Sequence, residues 1–112
     1  MRSIIVSEPG AAEVLKIVER EKPVVGKDEL LVKVCAFGLN RADIAQRLGR
    51  YPAPQGVPAD VPGLEYAGEV EAVGGSVSKF KKGDRVFGLV GGGSYQEYLL
   101  VHADTAMPIP KD

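Results

Sequence analysis

Short apolar stretches, many of them alternating with polar residues, divide most of the chain into segments bounded by Gly, Pro and charged residues. This pattern predicts strands at residues 2–6, 15–21, 29–37, 66–73, 85–89 and 94–101. Segment 29–37 is apolar almost throughout, which predicts a central strand covered on both faces. With 14 Gly and 8 Pro in the chain, mostly at segment ends, the spacing favours a small closed or nearly closed β-barrel over an alternating β/α sheet.

One short helix is predicted to interrupt the strands. Asn40 is a favourable N-cap residue, and Asp43 follows three positions later, near the positive end of the helix dipole. Ile44 begins an apolar face that continues one turn later, and Gly49 predicts the end of the helix. The Pro-rich segment 51–62 then predicts a long ordered loop, a kind of segment that often lines a site.

Composition and charge exclude several partners. The 112 residues suffice for one domain, and 45% apolar and 26% charged residues are typical of a globular protein. The formal net charge of -1 gives no electrostatic reason to expect nucleic acid or an anionic membrane. No apolar run approaches the roughly 20 residues that span a bilayer, and the apolar start ends too early for a signal peptide.

The single cysteine bears on the compartment. Cys35 has no second cysteine for an internal disulfide, which fits a reducing cytoplasm. Because it lies inside the apolar segment 29–37, we expect a buried and inert thiol.

Two loops carry the candidate chemistry. Asn40 and Leu64 hold the loop positions, and the carboxylates Asp43 and Glu65 follow them in the chain. Zinc binds Cys thiolate, His imidazole and carboxylate, so neither Asn40 nor Leu64 is a competent ligand. The layout is that of a metal site whose ligands are missing, while two carboxylates remain.

Four stretches together resemble a known family. Residues 34–43 (VCAFGLNRAD), 49–52 (GRYP), 62–70 (PGLEYAGEV) and 80–86 (FKKGDRV) resemble the N-terminal domain of medium-chain dehydrogenases/reductases, and most of all the zinc-free quinone oxidoreductases. The likeness covers essentially the whole chain in the same order. It implies one domain over residues 1–112, mainly β, with a GroES-like, partly open β-barrel and one or two short helices.

The resemblance also implies a site without zinc. Zinc-dependent members carry Cys at the position of Asn40 and His at the position of Leu64, and they carry a lobe of four cysteines where residues 87–95 contain none. The implied catalytic residues are Asn40, Asp43 and Tyr51. Asn40, Ile44 and Tyr51 are expected to contact the cofactor, and Leu64 and Glu65 to line the substrate pocket. For Glu65 a structural ion pair or hydrogen bond is the favoured alternative.

The implied chemistry is consistent with these residues. A quinone is a strong electrophile, so a hydride from NADPH reaches it without a Lewis acid if the two rings are oriented together. The Asn40 amide and the Tyr51 hydroxyl are candidate donors to the developing oxyanion. Leu64 in place of an imidazole is expected to make the pocket apolar.

The resemblance further implies a partner domain. Family members continue into a Rossmann domain with Gly-x-Gly-x-x-Gly, whereas the glycines at 91–93 have the wrong spacing for that motif. We therefore expect NADPH to be bound mainly by a domain absent from this chain, the chain alone to be inactive, and the full-length enzyme to be a homodimer. Two alternatives stay open: a stand-alone GroES-like binding or assembly module, and another zinc-free reductase such as an enoyl-thioester reductase.

Overall fold

The architecture is mainly β, as predicted from the sequence. A computed structural model describes residues 1–111, and in this range it contains seven strands, one α-helix and two single turns of 3-10 helix. The strands are β1 (Arg2–Val6), β2 (Leu15–Glu19), β3 (Glu29–Phe37), β4 (Glu65–Val73), β5 (Arg85–Leu89), β6 (Tyr98–His102) and β7 (Met107–Pro108). The helix is α1 (Arg41–Arg47), and the 3-10 turns are Ala12–Val14 and Ala103–Thr105.

The strands form two open sheets. β1 and β2 pair as an antiparallel hairpin, and the other five strands form an antiparallel sheet in the order β6-β3-β4-β5-β7. One isolated bridge, between Ser3 and Gln96, joins the hairpin to the segment before β6. The mainly β, partly open architecture is confirmed. A closed barrel is not formed by residues 1–111, because this single bridge is too short a ladder to seal the sheets.

The hydrophobic core lies on one face of the five-stranded sheet. Alternation along β5 shows this directly, since Val86 is buried while Phe87 and Leu89 on the opposite face are exposed. The central core residues come from β3, β4, β5, β6 and the 3-10 turn after β6: Leu30, Val32, Tyr66, Val70, Val86, Leu99, Val101 and Ala103.

The expectation that segment 29–37 is covered on both faces is right only for its first half. Leu30 and Val32 on one face and Leu31 on the other are buried, whereas residues 35–37 are exposed. This change coincides with the end of the neighbouring strand, since β6 pairs with β3 only from Glu29 to Lys33. The expected buried thiol is therefore wrong: Cys35 lies in the uncovered half and is exposed.

The last long strand begins later than predicted, at Tyr98 instead of residue 94. Residues 95–97 leave the β6 ladder and meet β1 instead, where the Ile4 N–H donates to the Tyr95 carbonyl at 2.9 Å. This departure places the Tyr95 side chain beside the helix and not in the sheet, which matters for the site.

Candidate functional site

The site is built around the start of α1. Asn40 occupies the N-cap position with extended backbone angles (φ -131°, ψ 154°). Its backbone N–H donates to Oδ2 of Asp43 at 2.9 Å, as in a capping box. The helix ends as predicted near Gly49, whose φ of +78° favours glycine. The sequence pattern therefore accounts for the local backbone of the site.

Asp43 is a buried carboxylate whose two oxygens differ in their hydrogen bonds. It is 7% exposed, and its Oδ2 also accepts a hydrogen bond of 2.5 Å from the Tyr95 hydroxyl. Its Oδ1 is buried and has no hydrogen-bond partner among residues 1–111. The orientation of the carboxylate is thus set by the two donors on Oδ2.

Tyr95 remains a hydrogen-bond donor over the ordinary pH range. Burial raises the pKa of Tyr95 well above its usual value, and the hydrogen bond to Asp43 raises that pKa further. The phenol therefore stays protonated at neutral pH and continues to donate to the carboxylate.

The Asn40 side chain points to β4. Its Nδ2 donates to Oε1 of Glu65, the first residue of β4, at 2.7 Å. An amide nitrogen carries two N–H groups, so this contact uses one and leaves the other for a ligand. Gly38 leaves the space for the pair, because a Cβ at that position would lie 2.7 Å from the Glu65 carboxyl carbon.

Aromatic stacking and a glycine hold Tyr95 in place. The Tyr95 ring stacks on Phe37 at the end of β3, with centroids 4.5 Å apart and an angle of 30° between the planes. Gly63 has a φ of +109°, and a Cβ there would lie 2.6 Å from Cδ1 of the Tyr95 ring. Gly63 therefore permits both the backbone turn before β4 and the position of the ring.

A cleft of about 350 Å³ opens beside these residues. Asn40, Asp43, Ile44 and Tyr95 line it, together with Leu39 and Pro62. Arg41 and Arg47 line the same cleft, and Nε of Arg47 donates to the Gly10 carbonyl at 3.0 Å. The cleft thus combines apolar walls, one amide donor and charged residues of both signs.

The structure brings some of the predicted site residues together and separates others. Asn40, Asp43 and Ile44 share the cleft, and Glu65 joins them through its hydrogen bond to Asn40. Tyr51 is 43% exposed and lines a neighbouring cleft of about 300 Å³, which meets the first at Pro62.

Leu64 is half-buried beside the pair of Asn40 and Glu65. Its backbone carbonyl accepts a hydrogen bond of 2.8 Å from the N–H of Val90. The roles in catalysis and binding that the resemblance implies for all six residues stay predictions.

Sequence reasoning missed Tyr95 and Phe37. Both were assigned to strands, where an aromatic residue needs no further explanation. One available signal was the position of Tyr95 two residues after the glycines at 91–93, where a strand is difficult to begin. Contact with Asp43, 52 residues earlier in the chain, leaves no trace in the sequence pattern.

The described residues contain neither a cluster of metal ligands nor a helix that could cross a membrane. Within the described range, no group of three or more His, Cys, Asp or Glu side chains is arranged to hold a metal ion. Of the helices in residues 1–111, none combines the length and the apolar character needed to cross a membrane.

Known proteins with similar sequences belong to the family that the sequence motifs resemble. Residues 26–111 match the family described as the alcohol dehydrogenase GroES-like domain. A quinone oxidoreductase from Lama guanicoe is 45% identical over 113 aligned positions, covering 98% of this chain and 34% of the relative. The chain spans about a third of the length of the curated relatives that it matches.

Solved structures have the same fold. The crystal structure of Escherichia coli quinone oxidoreductase complexed with NADPH superposes with a TM-score of 0.88 at 33% identity, over 98% of this chain and 33% of that one. The human synaptic vesicle membrane protein VAT-1 homolog-like protein gives a TM-score of 0.89 at 30% identity, over 99% of this chain and 35% of that one.

Proposed function

The chain belongs to the family of alcohol dehydrogenase GroES-like domains, and from that premise we propose that it is the substrate-side domain of a quinone or enone oxidoreductase. The proposed reaction is hydride transfer without zinc. When bound, NADPH or NADH supplies the hydride, and a Rossmann domain outside residues 1–112 holds most of the nucleotide. Dimerisation of the full-length enzyme belongs to the same proposal.

The observation that carries the proposal is the fixed Asn40 amide. Its backbone N–H is held by Asp43 and its side chain by Glu65 at 2.7 Å, so the remaining N–H has a restricted direction. A carbonyl oxygen that gains negative charge is stabilised by donors oriented in advance. Asn40 is suited to this role toward a quinone or enone oxygen.

The cleft supports a flat, apolar acceptor. Leu39, Ile44 and Pro62 give it apolar walls, and the Tyr95 ring closes one side. Its volume of about 350 Å³ lies within the range of small-molecule sites. Arg41 adds a positive charge that favours an acceptor becoming anionic.

The donor set supports chemistry without zinc. Asn40 and Leu64 stand where zinc-dependent members of the superfamily carry Cys and His. A quinone accepts a hydride readily, so the amide donor replaces the charge stabilisation that a metal gives to an alkoxide. An enone acceptor would use the same donor at its carbonyl oxygen.

Exposed apolar residues support an interface with a further domain. Leu39 at the rim of the cleft is 79% exposed, and Ile44 is 46% exposed. On the outer face of the sheet, Leu89 is 68% exposed, and Phe87 lies opposite Met107 in the β5–β7 pairing. Apolar surface of this kind commonly marks an interface.

The test uses the protein that joins this chain to its nucleotide-binding domain. Asn40→Ala is expected to lower kcat/KM for quinone-dependent NADPH oxidation by about 100-fold, because it removes an oriented donor. The matched control is Gln55→Ala, which removes an exposed loop amide. We expect no stoichiometric zinc in the purified protein and no turnover by residues 1–112 alone. Unchanged kcat/KM in Asn40→Ala, stoichiometric zinc, or reduction by the isolated chain would contradict the proposal.

A further inference from the structure

Among the tyrosines of residues 1–111, only Tyr95 has a buried hydroxyl that contacts the candidate site. The ring stacks on Phe37, and the hydroxyl donates to Oδ2 of Asp43 at 2.5 Å. The residue is 7% exposed, so its contacts with solvent are few. A packing role requires only the ring, and the hydroxyl therefore needs a separate explanation.

We propose that Tyr95 is a positioning residue. It holds Asp43, which binds the backbone N–H of Asn40, and it thereby orients the side-chain amide of Asn40. The inference rests on the proposed function, in which the free Asn40 N–H donates to the acceptor oxygen. Tyr95 and Asn40 donate to the same carboxylate oxygen, at 2.5 Å and 2.9 Å. The phenol holds that oxygen on one side, and the backbone N–H of Asn40 holds it on the other.

The unpartnered oxygen of Asp43 makes the orientation of its carboxylate sensitive to the loss of the Tyr95 hydroxyl. Because Oδ1 has no hydrogen-bond partner among the described residues, the two hydrogen bonds on Oδ2 are the only ones that orient the carboxylate. Loss of the phenol removes one of two contacts that fix Oδ2. The backbone N–H of Asn40 then has a less directional acceptor. The backbone that carries the Asn40 side-chain amide therefore gains freedom of movement.

Gly63 belongs to the same arrangement. A side chain at Gly63 would overlap Ser94 and approach Cδ1 of Tyr95 to 2.6 Å, so the ring reaches Asp43 only past a glycine. The contact depends on the departure of residues 95–97 from the β6 ladder. The same backbone features that join residues 95–97 to β1 and turn the chain before β4 thus also direct Tyr95 to the site.

The test separates the hydroxyl from the ring. Tyr95→Phe keeps the stacking on Phe37 and removes only the donor. Tyr66→Phe is the matched control, since Tyr66 is also buried but its hydroxyl has no hydrogen-bond partner in residues 1–111. Thermal melting establishes first that each variant is folded.

The direct measurement is NMR of the ¹⁵N-labelled 112-residue chain. We expect Tyr95→Phe to shift the backbone N–H signal of Asn40 and both of its side-chain amide signals, whereas Tyr66→Phe leaves them in place. Asp43→Asn retains the phenol and should shift the same signals, so it tests the contact between Asp43 and Asn40, on which the link depends, even if Tyr95→Phe does not fold. Unmoved Asn40 signals in Tyr95→Phe, or in Asp43→Asn, would overturn the proposal.

The kinetic measurement uses the protein with its nucleotide-binding domain. We expect Tyr95→Phe to lower kcat about tenfold with KM within about twofold, and to have little further effect in an Asp43→Asn background. Tyr66→Phe should retain the wild-type kcat. Equal losses from Tyr95→Phe in both backgrounds would refute action through Asp43.

Failure of the proposed function is distinguishable from failure of this inference. If the wild-type protein reduces no quinone, the proposed function and the kinetic role of Tyr95 are both overturned. Asn40 signals that respond to Tyr95→Phe would still support the hydrogen-bonded link. If the wild-type protein is active but Tyr95→Phe changes neither kcat nor the Asn40 signals, the proposed function stands and the positioning role is wrong.

Discussion

Nδ2 of Asn40 lies 2.7 Å from Oε1 of Glu65, so an amide before α1 and a carboxylate at the first residue of β4 form one hydrogen-bonded pair. The two residues are 25 positions apart in the chain. The pair fixes which way the amide faces, because a carboxylate only accepts. This direction is what makes the second amide N–H useful to a ligand.

Gly38→Ala should break this pair. The new Cβ would lie 2.8 Å from Oε1 of Glu65, so the carboxylate has to move away from Asn40. We expect about 1.5–3 kcal/mol less stability in urea unfolding, the usual contribution of a hydrogen bond to a charged group. Gly75→Ala is the control, because a Cβ there meets open space. Equal stability of the two variants would show that the pair contributes little.

Tyr66→Phe should stabilise the protein at neutral pH. The Tyr66 hydroxyl is buried and lacks a partner within the described range, so its lost hydration is not compensated. Removing it is expected to raise the free energy of unfolding by up to about 1 kcal/mol, measured by urea denaturation. A marked destabilisation would instead indicate an ordered water or another partner for the hydroxyl.

The same tyrosine should make the fold sensitive to alkali. Burial raises the pKa of Tyr66 to about 12, whereas an unfolded tyrosine ionises near 10. Between these values the unfolded chain binds fewer protons than the native one, so stability is lost as the pH rises. The expected slope is up to about 1.4 kcal/mol per pH unit for one tyrosine. Tyr66→Phe should have a shallower slope, and an unchanged slope would contradict this cause.

Asp60→Asn should loosen the loop that carries Tyr51. Asp60 accepts two hydrogen bonds from the Arg20 guanidinium, one of 2.9 Å, and these lower the pKa of Asp60. Since that pKa is depressed in the native state, the stabilisation is present at neutral pH and is lost as the pH falls through the native-state pKa of Asp60.

Both partners of this pair are about a third exposed, so the cost of Asp60→Asn should be below about 1 kcal/mol at pH 7 and vanish in strong acid. Urea unfolding at the two pH values measures the difference. Asp104→Asn, which removes an exposed ion pair with Lys79, is the control and should have no measurable effect. A difference that persists in strong acid would exclude the ion pair as its source.

Cys35 should react under native conditions. Its side chain lies on the uncovered half of β3 and is exposed, so a maleimide should label one thiol per chain without denaturant. Cys35→Ser is the control for specificity and should show no labelling. Labelling only after unfolding would mean that this face is covered in solution, for example by a second copy of the chain.

The sequence pattern predicted much of the local structure. The bounds of β1, β3 and β5 agree with the predicted segments, and α1 begins after Asn40 as its capping residues indicate. These features depend on alternation, turn residues and capping, which act between residues close in the chain. The family resemblance added the fold, because it draws on the order of motifs along the whole chain.

The site was predicted only in part. Asn40 and Asp43 came from the helix start, and Glu65 was assigned a hydrogen bond without its partner being known. The family resemblance grouped Tyr51 with Asn40, whereas in the structure Tyr51 lines a neighbouring cleft. No local pattern reports which side chain fills the space beside a helix end, so Tyr95 was not identified.

The strands, the capped helix, and the absence of Cys and His at the positions of Asn40 and Leu64 can be read from the amino-acid sequence. The exposure of Cys35, the open sheets, and the contacts of Asn40 with Glu65 and of Tyr95 with Asp43 are visible only in the folded chain. This division follows from the range of the interactions involved. Backbone sterics and periodicity act over a few residues, whereas strand lengths in the sheet and the pairing of buried polar groups depend on chain segments that meet only on folding.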